Sequence, residues 1–254
     1  MRQALHYLVA AFAIFFLWAL ASFVLEQVKG WPVIPYPWSV AAAGIEYLPQ
    51  WGSAFASSAR RFFLSLILAF ATGLPLGLLV GASERLHRWF SPLIYLLYPI
   101  PPIALLFFLY MAFGVGEGVK VVTVSLTLFF QVLVAAIGAA RNISPSYILA
   151  VRTAGANALQ LHRHVILPAV LPEVFTAARV SVGLGITMLY IAETKLGLLG
   201  GPGSGLGVFI ETYAMRTDLS LSGVVGLAFL GLLFYTFLEI LERWLCRWKY
   251  VGKG

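Results

Sequence analysis

Few side chains in this sequence have the type and spacing needed for catalysis or metal binding. The four histidines lie at the ends of apolar stretches or in polar loops, and no His-Glu-x-x-His metal helix occurs. The single cysteine, Cys246, permits no intrachain disulfide and no cysteine-based metal site. Ser204 is flanked by glycines, but Pro202 replaces the first glycine of the Gly-x-Ser-Gly pattern of membrane serine proteases. These residues form no convincing catalytic constellation.

A glycine-rich stretch at 197–207 invites comparison with phosphate-binding loops. No Gly-Lys-Ser or Gly-Lys-Thr occurs anywhere in the chain, and the stretch does not match Gly-x-Gly-x-x-Gly. We interpret 197–207 as a flexible turn or a short re-entrant element on the outer side of a membrane. Any ATP is therefore expected on another chain.

Two charged residues lie inside or at the end of an apolar stretch, where burying a charge is costly. Arg179 can line a solute path, or it can snorkel to the inner membrane interface. Glu193 ends the same stretch and can line the path or simply cap the span. We take Arg179 and Glu193 as candidate pathway residues.

The composition indicates that these side chains are carried by membrane helices. Of the 254 residues, 61% are hydrophobic and only 11% are charged, with a mean hydropathy of +0.91. An average soluble domain has roughly a quarter of its residues charged. This composition excludes a water-soluble enzyme, a disordered chain and a secreted disulfide scaffold. Barrel strands would alternate in polarity, whereas the apolar stretches here run for about twenty residues, as spanning helices do.

Six apolar stretches predict an all-α polytopic membrane protein with about six transmembrane helices. The first stretch could instead be a signal peptide, because Arg2 and Ala19-Leu20-Ala21 resemble its start and cleavage site. The apolar run continues to Leu25, which favours a retained helix. We expect a tryptophan-bearing interfacial connector next, then a helix from about Leu48 that continues into span two. The predicted spans are 4–25, 62–82, 89–113, 121–140, 174–192 and 219–238.

The distribution of basic residues predicts that both termini are cytoplasmic. With the N-terminus inside, eleven of the 17 lysines and arginines fall on the inner side, as the positive-inside rule requires. The net charge of +7 therefore reflects topology, and no nucleic-acid partner is expected. Arg60 and Arg61 fall on the outer side, where we expect them to snorkel to water.

Small residues recur at four-residue spacing in spans two and five. That spacing places them on one helix face, where another backbone can approach closely. We interpret them as helix-packing residues, on a seam that could also slide during transport. They are Gly73, Gly77, Gly81, Ala177, Ser181 and Gly185.

The largest polar insertion is the inner loop 141–173, which reads as two short helices. Ser144 can cap the first helix, with Pro145 in its first turn. Gly155 can end it in a left-handed conformation. Asn157 and Gln160 have the spacing of a capping box at the start of the second.

Two prolines, Pro168 and Pro172, are expected to stop the second helix before span five. The loop also carries apolar residues at helical spacing, namely Ile148, Leu149, Leu159, Leu161 and Val165. This pattern predicts a docking element that lays a helix into a partner's groove. The alternative is an interfacial helix lying on lipid.

At this loop the sequence resembles the permease subunits of ATP-binding cassette (ABC) importers. Ala154-Gly155-Ala156, followed after nine residues by Ile166-Leu167-Pro168, is similar to their coupling signature. The likeness covers about 33–247. Two departures are that the family's opening glutamate falls on Leu149 and that 195–203 is longer than usual. Further motifs resemble the nitrate/sulfonate/taurine-type branch: Pro75-Leu76-Gly77, Pro99-Ile100-Pro101-Pro102, Phe113-Gly114-Val115-Gly116-Glu117, Ala192-Glu193 and Ser204-Gly205-Leu206-Gly207.

The resemblance implies a MetI-like type I ABC permease, a single multi-pass transmembrane domain (1–254) of the bacterial inner membrane. Two copies would pair as a homodimer around a path for a small anionic or sulfonate- or nitrate-like solute. Two cytoplasmic ATPase subunits, holding ATP and Mg, would bind the 141–173 loops, and an extracytoplasmic binding protein would deliver the solute. The chain itself would bind no cofactor or metal and catalyse no reaction. The residues expected to couple to the ATPase are Leu149, Arg152, Ala154, Gly155, Ala156, Leu159, Ile166, Leu167 and Pro168.

Two other classes of protein compete with this interpretation. An ion-coupled secondary transporter would favour intramembrane acidic residues and paired repeats. An intramembrane enzyme would need the catalytic constellation sought above. Neither pattern is evident in the sequence.

Overall fold

The computed structural model describes residues 2–114, 116–197 and 204–250, and all regular elements within them are helical. The chain divides into two compact units. The first unit comprises Met1–Ser58 and Gly203–Ala228, and the second comprises Ala59–Pro202 and Phe229–Gly254. Most of the predicted turn or re-entrant element at 197–207, and Val115 of the quoted motif, lie outside the described residues.

Eleven α-helices are described. Their bounds are α1 (Arg2–Lys29), α2 (Pro37–Glu46), α3 (Leu48–Ala82), α4 (Glu84–Leu97), α5 (Pro102–Phe113), α6 (Glu117–Arg141), α7 (Pro145–Thr153), α8 (Ala158–Leu161), α9 (Leu167–Gly197), α10 (Leu206–Thr212) and α11 (Thr217–Leu245). A π-helical turn covers His162–Ile166, and a 3₁₀ turn covers Arg247–Lys249.

Five of the described helical segments are long and apolar enough to cross a bilayer, and a bent pair makes a sixth if it counts as one span. The expected helix from about Leu48 into span two is confirmed by α3. The third predicted span, 89–113, is not one straight helix. It consists of α4 and α5, which meet at 96°. The bend has a local cause, because Pro99, Pro101 and Pro102 supply no amide hydrogens to continue the helix.

The first unit is held by hydrogen bonds between distant parts of the chain. The Trp51 Nε1 atom donates to the Ser222 carbonyl at 3.1 Å, and the Leu206 amide donates to Ser58 Oγ at 2.8 Å. The connector after α1 includes a helix that the sequence did not indicate, α2, which begins at Pro37. Proline suits this first position because its φ is already helical and no amide hydrogen is needed there.

In the second unit, the backbones of α3 and α6 approach each other closely at three glycines of α3. A Cβ atom built on Gly77 would lie 2.5 Å from the Ala136 Cβ atom, and one on Gly81 would lie 2.7 Å from that of Ala140. A Cβ on Gly73 would lie 3.0 Å from a carbonyl oxygen of α6. The glycines at four-residue spacing therefore set the distance between these two helices.

The small residues of span five have different surroundings. A Cβ on Gly185 would lie 2.8 Å from the Phe62 ring. Ser181 is buried, and its hydroxyl donates to the Ala177 carbonyl at 2.7 Å within α9. Ala177 itself lines a cavity. Gly185 thus permits close packing, whereas Ala177 leaves space.

The prediction that Pro168 and Pro172 stop the second loop helix is wrong. The helix continues from α8 through the π turn into α9, with Pro168 at its second position and Pro172 inside it. In the π turn the Leu167 amide donates to the His162 carbonyl, one residue farther back than in an α-helix. Pro168 has no amide hydrogen to donate, and the wider π turn allows the helix to continue past it.

Replacing Gly77 with alanine should loosen the second unit. The added methyl group overlaps the Ala136 Cβ atom, and such overpacking costs about 1–3 kcal/mol. Gly52 lies on the same helix with nothing within 4 Å of an added Cβ, so Gly52→Ala is the matched control. Thermal unfolding of the detergent-solubilised protein should give a lower Tm for Gly77→Ala alone. Equal Tm values would contradict the close approach of α3 and α6.

Candidate functional site

The 141–173 loop is shaped by paired caps at the junction of its two helices. Gly155 has φ +85, which confirms the predicted left-handed conformation. Its amide donates to the Arg152 carbonyl at 3.0 Å, and the Ala156 amide donates to the Val151 carbonyl at 3.3 Å. These two bonds form a Schellman motif, which satisfies carbonyls at the end of α7. The first loop helix therefore ends in a defined geometry.

The start of α8 is fixed by the predicted capping box. The Gln160 amide donates to Asn157 Oδ1 at 2.8 Å, and the Asn157 amide donates to Gln160 Oε1 at 2.9 Å. Ser144, however, does not cap α7, because its hydroxyl lies 2.7 Å from the Ser146 hydroxyl instead. Pro145 begins α7 as expected. Hydrogen bonds on both sides therefore define the turn between α7 and α8.

One face of the loop packs against α6 and α9, and the other face does not. Its packed face joins a core cluster with α6 and α9 that includes Val132, Ala136, Ala140, Leu161, Ile166, Val170 and Val174. Ile148 and Val165 pack against this cluster. Leu149 and Leu159 point away from it, and Leu159 is 76% exposed.

The predicted coupling residues divide between these two faces. Ile166 is buried, and Leu167 and Pro168 are half-buried in the first turn of α9, so these three anchor the loop. Ala156 is also half-buried. The accessible members are Leu149, Arg152, Ala154, Gly155 and Leu159.

A groove of about 580 Å³ lies beside the exposed face of α7. Leu149 and Arg152 line one side, and Gly81 and Glu84 line the other. Arg141 also lines the groove, and its Nη1 atom is 3.0 Å from Glu84 Oε2. The groove and the exposed leucines form what we call the coupling surface, defined by Glu84, Leu149, Arg152, Ala154, Gly155 and Leu159.

A cluster of charges joins the first half of α3 to the start of α6 and to the last turns of α9. The Arg61 Nε atom is 2.6 Å from Glu117 Oε2, and its Nη1 atom is 2.7 Å from Glu193 Oε1. Arg61, Glu193 and Lys120 are each 0% exposed. The prediction that Arg61 snorkels to water is wrong, because these carboxylates neutralise its charge inside the protein. Arg60, with its side chain 66% exposed, contacts only the rim of the cluster.

A second ion pair joins α9 to α11. Arg179 Nη2 lies 2.7 Å from Glu242 Oε2, and Lys249 Nζ lies 2.7 Å from Glu242 Oε1. Glu242 is fully buried. Both candidate pathway residues, Arg179 and Glu193, are thus held in ion pairs between helices.

Sequence reasoning missed the partners in both clusters. Arg61 was predicted to lie at the membrane interface. Glu117 was named only as part of a family motif, and no role was predicted for Lys120 or Glu242. Three carboxylates near span ends in such a charge-poor chain were the available signal, since a buried charge requires a partner. The partners themselves were beyond local patterns, because Arg61 is 56 residues from Glu117 and 132 from Glu193.

Comparison with known proteins gives a consistent set of relatives. Residues 73–248 match the family described as binding-protein-dependent transport system inner membrane component. The chain is 32% identical over 195 residues to the taurine transport system permease protein TauC of Escherichia coli, covering 76% of this chain and 69% of the relative. It is 29% identical to the putative aliphatic sulfonates transport permease protein SsuC of Bacillus subtilis, covering 78% and 70%.

Two further matches extend this set. The bicarbonate transport system permease protein CmpB of Synechococcus elongatus is 27% identical, covering 75% of this chain and 68% of the relative. Among solved structures, an inward-facing MetNI methionine ABC transporter chain matches with a TM-score of 0.65 and 21% identity, covering 79% of this chain and 98% of that chain. The structural match supports the predicted fold.

Replacing Arg61 with leucine should destabilise the protein far more than replacing its neighbour. The change removes the guanidinium that neutralises the buried Glu193 carboxylate, and breaking a buried pair from one side costs about 3–5 kcal/mol. Arg60→Leu removes an exposed contact, which costs at most about 1 kcal/mol. Thermal unfolding in detergent measures both. A Tm loss that is similar for the two variants would show that the buried pair does not hold these helices.

Proposed function

The chain belongs to the family of inner membrane components of binding-protein-dependent transport systems, and on this premise we propose how its described surfaces serve transport. It is a multi-pass permease subunit of an ABC importer and forms the translocation path. Permease subunits of this kind have no ATPase site of their own, so ATP is used by partner subunits. The proposals concern the ATPase contact, the partner copy, the topology and the solute.

The coupling surface is the proposed contact for an ATPase subunit. The observation that carries this proposal is the exposure of Leu149 and Leu159 on a loop whose other face is fixed to α6 and α9. Exposed leucines on a rigid helical element suit insertion into an apolar groove of a partner. Arg152 and the Glu84–Arg141 pair at the rim would orient the partner through charge.

A second copy of the chain is the proposed membrane partner. Val180 and Leu184 are exposed on one face of α9, next to a cavity of about 690 Å³ lined by Ala135, Ala139 and Ala177. Small residues allow close approach between membrane helices. A homodimer across this face would place the solute path between the two copies.

The proposed solute is a small sulfonate or a similar oxyanion, because the relatives are permeases for taurine, aliphatic sulfonates and bicarbonate. Arg179 and Glu193, first taken as pathway candidates, are engaged with Glu242 and Arg61. We therefore give these two residues a positioning role and seek the solute contacts elsewhere.

The first test of the ATPase contact uses two glycines with the same backbone conformation. Gly155 has φ +85 and Gly30 has φ +75, and neither has an atom within 4 Å of an added Cβ. Valine at either position therefore adds local strain of roughly 1 kcal/mol or more without a clash. Gly155→Val should displace the coupling surface, lowering ATPase co-purification and transport at near-normal membrane levels. Gly203, another possible control, lies outside the described residues.

Gly30→Val supplies the control, because it imposes the same strain away from the loop. It should co-purify with the ATPase as the unmodified protein does. If both variants retain the ATPase and transport normally, the 141–173 loop is not the coupling element. If both lose it equally, the effect is general instability and the assignment also fails.

The topology can be tested with introduced cysteines. Cys246 is a poor native probe, because it is fully buried and burial raises the pKa of its thiol, which lowers the reactive thiolate. In a Cys246→Ser background, Leu159→Cys should lie inside and Met215→Cys, at a position 97% exposed, should lie outside. A membrane-impermeant thiol reagent added to intact cells should label Met215→Cys alone. Labelling of Leu159→Cys would overturn the cytoplasmic placement of the loop and of both termini.

A further inference from the structure

Four uncharged polar side chains line a cavity in the middle of the second unit. Tyr98 at the end of α4, Thr127 and Gln131 on α6, and Thr187 on α9 surround a space of about 270 Å³, together with apolar residues. Gln131 lies about 20 Å along α6 from its start at Glu117, since a helix rises 1.5 Å per residue. The group is thus far from both ends of a membrane-spanning helix.

The hydrogen bonds within this group determine what it can offer a solute. The Thr127 hydroxyl donates to the Thr123 carbonyl at 3.3 Å, and the Thr187 hydroxyl donates to the Gly183 carbonyl at 2.9 Å. Their hydrogens are used within their own helices, so their lone pairs remain as acceptors. The threonines therefore present acceptors to the cavity.

Gln131, which is hydrogen-bonded to Tyr98, completes the set as a donor. The Gln131 Nε2 atom donates to the Tyr98 hydroxyl at 3.3 Å. The Tyr98 hydroxyl in turn donates to Gln131 Oε1 at 3.5 Å. A glutamine amide has two hydrogens, so one of them remains for a solute. The cavity consequently offers a donor as well as acceptors, and none of the described residues that line it is charged.

The same two helices continue this space towards the loop. The cavity of about 690 Å³ follows along α6 and α9, where Ala135, Gly138, Ala139 and Ala177 leave room. Among the described residues that line the two cavities, Glu173 alone is charged, and it stands beside the start of the loop at Asn142. We call this run of Tyr98, Thr127, Gln131, Thr187 and the four small residues the α6–α9 lane.

A structural role in helix packing does not account for the lane. Polar side chains that join membrane helices are normally enclosed between them, whereas Tyr98 and Thr187 are exposed and Thr127 and Gln131 are half-buried. Polar groups at this depth cost free energy unless they meet hydrogen-bonding partners or water. Besides the hydrogen bonds given above, all four side chains line the same cavity, where water or a solute can meet their remaining polar atoms.

We propose that the α6–α9 lane is the solute path, and that it recognises a small solute that both accepts and donates hydrogen bonds, such as a zwitterion with oxyanion and ammonium groups. This inference rests on the proposed function and narrows its solute class. Neutral groups hold such a solute weakly enough for release, as conduction requires. A simple anion has no hydrogen-bond donor, so it would leave the acceptor oxygens of Thr127 and Thr187 without a partner.

The test measures the reaction of introduced cysteines with a small, charged thiol reagent in membrane vesicles. In the Cys246→Ser background, the lane variants are Gln131→Cys and Thr187→Cys. The controls are Leu232→Cys, at an exposed apolar position on α11, and Leu189→Cys, at a fully buried position on α9. The lane variants should react about tenfold faster than both controls, because the charged reagent follows water and does not enter lipid. Equal rates would overturn the lane.

The solute class is tested by protection of Thr187→Cys. Taurine, which carries a sulfonate and an ammonium group, should slow its modification saturably, by about threefold or more as the site fills. Ethanesulfonate at the same ionic strength lacks the donor and should protect much less. Equal protection by both, or protection by neither, overturns the mixed donor and acceptor class.

Failure of the lane is distinguishable from failure of the proposed coupling. ATPase co-purification is measured on the same variants, all of which lie outside the coupling surface. Loss of lane reactivity with a normal ATPase complement refutes the lane alone. A reactive and protected lane in a protein that binds no ATPase supports the lane and refutes the coupling surface.

Discussion

The position of Arg61 constrains much of the second unit. Its guanidinium is fully buried and needs negative charge around it, because a hydrocarbon environment cannot solvate it. Glu117 and Glu193 supply that charge from the start of α6 and near the end of α9. The cluster therefore fixes how deep the three helices lie, and how each is rotated about its axis, at this position.

Small residues, together with the ion pairs, determine the distances between helices in the second unit. Gly77 and Gly81 let α3 approach α6 until a methyl group no longer fits between them. Along α6 and α9, Ala135, Ala139 and Ala177 instead leave an open cavity. Small residues thus allow close packing at the α3–α6 interface and leave a cavity between α6 and α9. The difference lies in what faces them across the interface, backbone in the first case and space in the second.

Features set by neighbouring residues were predictable from the sequence, and features set by distant pairs were not. The Asn157 capping box and the left-handed Gly155 follow from spacings of a few residues, and both are present. The family signature singled out the 141–173 loop as the proposed coupling element, although it did not separate exposed Leu159 from buried Ile166. The burial of Arg61 depended on carboxylates far along the chain. The continuation of the helix through Pro168 depended on a π turn, which no residue pattern announces.

The continuity of α8, the π turn and α9 links the coupling surface to the lane. Leu159 stands at one end of this helical run, and Thr187 and Glu193 stand near the other. If the proposed coupling holds, a displacement of Leu159 by an ATPase subunit acts on a helix that is anchored near its far end by the Arg61–Glu193 pair. The π turn at His162–Ile166 lies between Leu159 and Thr187 in that run.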